Sequence, residues 1–190
     1  MRLQPLPPEN LSPELRFVHD EISDLITRSQ GQASMINSQG ALLGPFPAML
    51  HFPQFGIPAL SFIKTLDTYA TLDKKVREIA ILSVGSKFGA RFELYVHEIM
   101  AEAFGLSKSV IASICSGSRP EGLNEQESIT YDIANALTQG KIVSNSTYKY
   151  AVELLGNEGV AELYFLIGSY SLIAIILNGF DIPAPENNAR

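Results

Sequence analysis

The sequence predicts an all-α protein. Three observations carry that expectation. Apolar residues recur at three- and four-residue spacing in one segment after another, cap residues and glycines punctuate those segments, and no run alternates as a half-buried strand would. The 190 residues are enough to bury a real core, and no shift in composition divides them. A single domain is therefore expected over 1–190, with an extended lead at 1–11 and a polar tail at 181–190.

The elements follow in order. After the extended PLPP lead, Ser12 is an N-cap and Pro13 the first helical residue, and Leu15, Val18, Ile22, Leu25 and Ile26 carry an amphipathic helix to about Arg28. Ser29 to Gly40 is polar and reads as a loop. Gly44 to Pro58 holds four prolines and two glycines, so a rigid, turn-rich segment or short helical turns is expected. A helix resumes from Pro58 to Ala70, with Leu60, Ile63 and Leu66 on one side. Thr71 or Asp73 caps the next, Lys74 to Phe88, which Gly89 interrupts. Phe92 to Phe104 forms its hairpin partner, stopped by Gly105 as a C′ glycine. Ser107 caps a short helix to Cys115, and Asn124 with Glu127 makes a capping box for a helix to about Gln139. Ser144 or Ser146 starts another, to Leu155, and Gly156 ends it. A long apolar helix, Val160 to Phe180, comes last.

Composition narrows the functional classes. Hydrophobic residues make up 46% and charged residues 18%, below the roughly 25% charge usual for soluble domains, so part of the surface is expected to be covered by other subunits. The net charge is −6 with no lysine or arginine run, which argues against a nucleic-acid partner. Cys115 is the sole cysteine, excluding an intramolecular disulfide and fitting a reducing compartment. The N-terminus lacks the character of a secretory or transit segment, so the cytoplasm is the expected location. The uninterrupted apolar part of the last helix, Leu163 to Leu177, is about 15 residues, short of the roughly 20 that cross a bilayer. A helix buried all round by core and by a subunit interface is expected instead, with no membrane partner.

Chemistry concentrates in REIAILSVGSKFGARFELYVHEIMAEAFG, Arg77 to Gly105. Glu93 and His97 are four apart, share a helix face and can hydrogen-bond. A carboxylate favours the imidazolium and burial disfavours it, so the balance can place a histidine near working pH for general acid–base catalysis. A hairpin around Gly89 could bring Glu78 back against His97. The same residues also fit a satisfied structural network pinning two helices together, and the pattern alone leaves both readings open. Glu-x-x-x-His offers only two ligands, so no metal site is expected. His19 is expected on the surface and His51 is a possible pocket residue. Cys115, in VIASIC, reads as a buried inert thiol. No phosphate loop, nucleophile elbow or zinc signature is present.

In order and spacing, R-E-I-A-I-L followed by F-E-L-Y-V-H-E and A-x-x-x-G-L-S resembles the carboxymuconolactone decarboxylase family, which includes the alkyl hydroperoxidase D-type proteins. The likeness takes in GPFPAMLHFP upstream, then YDIANAL and the closing apolar helix, covering roughly Pro13 to Pro183. It implies an alkyl hydroperoxidase D-like helical bundle, obligately oligomeric as trimers or hexamers. It also implies a pocket beside the motif helices with the Gly-Pro-Phe-Pro segment as a wall, which makes Phe46 and His51 candidate substrate contacts. Peroxidase members use a glutamate, a Cys-x-x-Cys pair and a histidine four residues after the second cysteine. Carried over, the glutamate falls on Glu78 and the histidine on His97, while the cysteine positions are Ala90 and Glu93 and a second histidine falls on Phe92. Thiolate attack on peroxide needs the sulfur, so that chemistry is absent.

What remains resembles the non-redox branch, whose founding activity is decarboxylation of a carboxylated unsaturated lactone without a cofactor. Such an enzyme must stabilise a dienolate and protonate carbon. The resemblance assigns His97 as proton donor, held and tuned by Glu93, with Glu78 in relay. Arg77 or Arg91 would hold a substrate carboxylate, and Tyr95, on another helix face, is a further substrate-binding candidate. The competing expectations are a non-catalytic binding or structural oligomer and, less favoured, a peroxidase in which Cys115 pairs across subunits.

Overall fold

The computed structural model describes residues 1–28 and 33–185. The first part of the loop expected at Ser29–Gly40 and the end of the polar tail lie outside the described residues. A 3-10 turn at Pro8–Asn10 leads into eight helices: α1 Pro13–Arg28, α2 Phe46–His51, α3 Pro53–Thr68, α4 Lys74–Phe88, α5 Arg91–Ala103, α6 Lys108–Cys115, α7 Glu125–Thr138 and α8 Asn145–Gly179. Among the described residues there is no strand; an isolated bridge between Ile36 and Leu42 closes the turn before α2.

Helix α4 is the axis of the bundle. Asp73 caps it by accepting from the Lys75 backbone at 2.8 Å, and Gly89 ends it in the left-handed region at φ 62°, where an L side chain is strained. Val76 to Gly85 is buried without interruption, so this helix has core on every side. It packs on α5, α6, α7 and α8. Its Ile79, Leu82 and neighbours join α6 and α7 in one cluster, and its Ala80, Ile81 and Val84 join α3, α5 and α8 in the other. Each fully buried aliphatic side chain there contributes on the order of 1.5–3 kcal/mol.

Two expectations need correction here. The proline-rich segment resolves into α2 and the first turns of α3, which starts at Pro53 rather than Pro58. Pro53 occupies the tolerated first position, and Pro58 sits inside the helix, forgoing one backbone bond. His19 is buried, not on the surface. Its Nε2 donates to the Gly40 carbonyl at 2.9 Å, and Nδ1 lies 3.0 Å from the Asp20 carboxylate, which pins α1 to the turn before α2.

The last two predicted helices both lie within α8, whose helical backbone is interrupted at Gly156 (φ 73°, ψ 169°), the residue expected to end the first of them. Helix α8 is long and apolar enough to cross a membrane by length and composition, but half of its most apolar window is buried inside the bundle, against α4, α7 and α3. It is a core helix, though not buried all round. Phe165, Leu172 and Ile175 stay exposed on one edge.

Candidate functional site

The hairpin of α4 and α5 turns at Gly89 and Ala90, with the Ala90 amide donating to the Gly85 carbonyl at 2.9 Å. This tight return sets the two helices against each other and brings Glu78 to His97. His97 Nδ1 lies 2.8 Å from Glu78 Oε2, and both side chains are buried. A carboxylate can only accept, so Nδ1–H is the donor, and in the neutral ring Nε2 is then the nitrogen with the lone pair. Among the described residues Nε2 has no hydrogen-bond partner.

Tyr170 of α8 meets the imidazole edge-on, ring centroids 5.0 Å apart and planes at 86°. Burial, reinforced by the negative charges of Glu78 and Asp67, pushes its phenol far up, so the hydroxyl keeps its proton. His97 and Tyr170 stand between two spaces. On one side is an apolar cavity of about 210 Å³, walled by α1, α3, α5, α8 and Phe46 of α2. On the other is a cleft of about 420 Å³ that Glu78, Arg77, Asp67 and Lys74 make polar. The same imidazole therefore faces an apolar chamber and a polar one.

Glu93 behaves differently from the expectation. It makes no hydrogen bond to His97; Glu78 holds that ring instead. The Glu93 carboxyl lies against α4 at Gly85, where a Cβ would stand 3.3 Å from Oε1 and 3.0 Å from Leu94. Both carboxyl oxygens are buried with no partner, and the side chain lines the apolar cavity. Burial holds this carboxyl well above the ordinary carboxylate range, so it carries its proton in the folded protein. Folding at neutral pH must then bind a proton that the unfolded chain has released. Relative to a Glu93→Gln variant, the wild type should gain stability as pH falls from 7 towards the unfolded value near 4.5. The gain is up to about 1.4 kcal/mol per pH unit. Urea denaturation of both proteins at pH 7 and pH 5 checks this, and a pH-independent difference would place an ionised carboxylate there.

The other candidates scatter. Phe46 lines the apolar cavity. Arg77 borders the polar cleft, but its guanidinium is committed to the scaffold: Nη1 donates to the Leu66 carbonyl at 3.1 Å and to Glu162, and Nη2 to Asp67. Arg91 is exposed and reaches Asp181 at 3.2 Å. His51 is exposed and contacts the Gln4 carbonyl at 3.0 Å. The Tyr95 hydroxyl accepts from the Ser34 amide at 3.0 Å, and its ring faces the α5–α6 groove that also holds Cys115. Burial and then Glu98 push the Cys115 thiol up to about 12, as expected of an inert cysteine. Sequence reasoning missed Tyr170, whose signal was a polar aromatic inside the apolar run of α8.

No family model matches the sequence, and no curated protein sequence matches it. Similarity appears in three dimensions. The chain superposes on an alkylhydroperoxidase AhpD core protein, an uncharacterised peroxidase-related protein from Ralstonia eutropha JMP134, with a TM-score of 0.77 and 13% identity. That match covers 97% of this chain and 92% of the other. It also superposes on a Cys-to-Ala variant of the debrominase Bmp8 in complex with 2,3,4-tribromopyrrole, with a TM-score of 0.74 and 12% identity over 98% of this chain and 92% of that one. The chain thus has the alkyl hydroperoxidase D-like fold.

Proposed function

We propose that this protein is a member of the carboxymuconolactone decarboxylase family that works as a cofactor-independent acid–base lyase or isomerase on a small enolisable carbonyl compound. The observation that carries the reading is the Glu78–His97 dyad, with Nε2 left unpaired at the edge of an apolar cavity. In the step envisaged, Nε2 takes a proton from the carbon next to the carbonyl. The C–H pair becomes the enolate double bond, and the carbonyl π pair moves to oxygen. Nδ1–H stays on Glu78, whose charge stabilises the imidazolium, and the proton then returns to carbon. A purely structural network is the competing reading, but it has no use for the buried, unpaired Glu93 carboxyl, since buried polar groups without partners cost stability.

The test is hydrogen–deuterium exchange in D2O, followed by proton NMR, on a panel of small cyclic enones and unsaturated lactones. Exchange faster than in buffer at the carbon next to the carbonyl is expected. Bound compounds that exchange no faster than in buffer would overturn the reading.

We also propose a homo-oligomer, trimer or hexamer. Phe165, Leu172 and Ile175 are exposed at helical spacing along α8. Beside them Phe55, Phe62 and Tyr69 are exposed at seven-residue intervals in and just beyond α3, and Phe62 meets Phe165 edge-on at 6.0 Å. An apolar seam of this kind suits burial against another copy. Light scattering should report a multimer for the wild type and a smaller species for Phe165→Asp.

A further inference from the structure

We infer that the apolar cavity selects an uncharged, ring-sized carbonyl compound and rejects a carboxylate, a narrowing that rests on the proton-transfer reading above. The argument starts from where the charges are. Among the described residues, Lys64 is the one lysine or arginine lining the cavity, and it is held by an acid; of the two in the neighbouring cleft, Arg77 is likewise held and Lys74 lies over the Phe104 ring. Arg77 gives its guanidinium to Glu162, Asp67 and the Leu66 carbonyl. Lys64 lines the rim but its ammonium donates to Glu21 at 2.8 Å. Arg91, exposed beside Asp181, does not line the cavity.

The titratable groups that do face the chamber are acids or proton carriers. Asp67 and Glu93 line it, and Glu78 stands directly behind His97. A substrate carboxylate would leave water for a space whose lining offers no unpaired cation, which is unfavourable.

The rest of the wall is aliphatic and aromatic, including Ile22, Met35, Leu60, Ile63 and Ile173. Its volume, about 210 Å³, is small for a ligand pocket. The polar groups offered at the His97 end are a protonated Tyr170 hydroxyl and the Nε2 lone pair. Together they suit one carbonyl oxygen and one adjacent C–H. The arrangement departs from the carboxylated lactone expected from the sequence resemblance, because the arginine that was to clamp the carboxylate is committed to the scaffold.

The experiment compares two probes of one ring size, 2-cyclohexen-1-one and 3-oxocyclohexane-1-carboxylate, at pH 7. Binding is read from the methyl NMR signals of Ile22, Ile63, Ile173, Met35 and Met100, which localise it to this cavity. The neutral ketone should bind at least about tenfold more tightly than the carboxylate. A carboxylate that binds as tightly as the ketone would overturn the inference. A ketone that leaves all five methyl signals unmoved at its solubility limit would overturn it too. The selectivity and the chemistry fail separately. Selective binding without faster exchange would remove the proton-transfer reading alone, and exchange in a protein that prefers the carboxylate would remove this inference alone.

Discussion

His97→Gln should slow catalysed exchange by about 10²–10⁴-fold, the usual contribution of a positioned general base. Glutamine keeps a polar side chain of similar reach but has no lone-pair nitrogen to accept the proton. Because His97 packs edge-on against Tyr170 and ties α5 to α4 through Glu78, the variant must be shown folded by circular dichroism and by retained methyl shifts with 2-cyclohexen-1-one. Binding that survives while exchange collapses separates chemistry from scaffold. Glu78→Gln provides the companion measurement. The amide still contacts Nδ1 but supplies no negative charge to the imidazolium, so exchange should fall and the rising limb of its pH profile should move to lower pH, because the less basic ring loses its proton sooner. Equal exchange in wild type, His97→Gln and Glu78→Gln would mean that the dyad is structural.

The second large effect concerns stability. Arg77→Met should destabilise the protein by roughly 3–5 kcal/mol, because it leaves Glu162 buried and short of its charged partner. For a chain of this size that is a fall in melting temperature of roughly ten degrees. Glu162 is a hub. Its Oε1 accepts from Arg77, and its Oε2 accepts from the Thr71 amide at 2.6 Å, the Thr71 hydroxyl at 2.8 Å and the Leu72 amide at 3.0 Å. Burial alone would raise this carboxyl, but the hydrogen bonds from Thr71, Arg77 and Leu72 outweigh it and hold the group below its usual 4.5. Its contribution is therefore complete above that value and is lost as pH falls through the depressed folded one. Removing Arg77 should shrink that acid-side loss along with the stability at pH 7. The double variant Arg77→Met with Glu162→Gln should recover part of the deficit, since the only charge then left unpaired is the solvent-exposed one of Asp67. Urea midpoints for the three proteins at pH 7 and pH 4 decide the matter; an Arg77→Met protein as stable as the wild type would refute the hub.

What the sequence made legible was local. The Asn124–Glu127 capping box is formed in both directions at 2.9 and 3.0 Å. Asp73, Ser107 and Gly89 bound their helices where their side chains or backbone preferences put them. The meeting of Glu78 and His97 was also within reach, because one tight hairpin joins their helices. The remote contacts were not. Arg77 and Glu162 are 85 positions apart, and no periodicity says that α8 returns beside α4 to occupy that guanidinium. Tyr170 was hidden for the same reason. Glu93 was placed on the correct face but given the wrong partner, since spacing along a helix permits a bond to His97 without deciding between that ring and the space above Gly85. His19 was misjudged because the acceptor that buries it belongs to Gly40, 21 residues on.

The imidazole that divides an apolar chamber from a polar cleft has a consequence for traffic. Were the dyad sealed at the bottom of one pocket, guest and proton would have to share a single doorway. Here a guest would occupy the apolar chamber lined by α1, α3, α5 and α8, and the cleft around Glu78 and Asp67 would give solvent its own approach to the other side of the ring. Loading and acid–base exchange with bulk water can then run on independent clocks, so an occupied chamber need not be a stalled one.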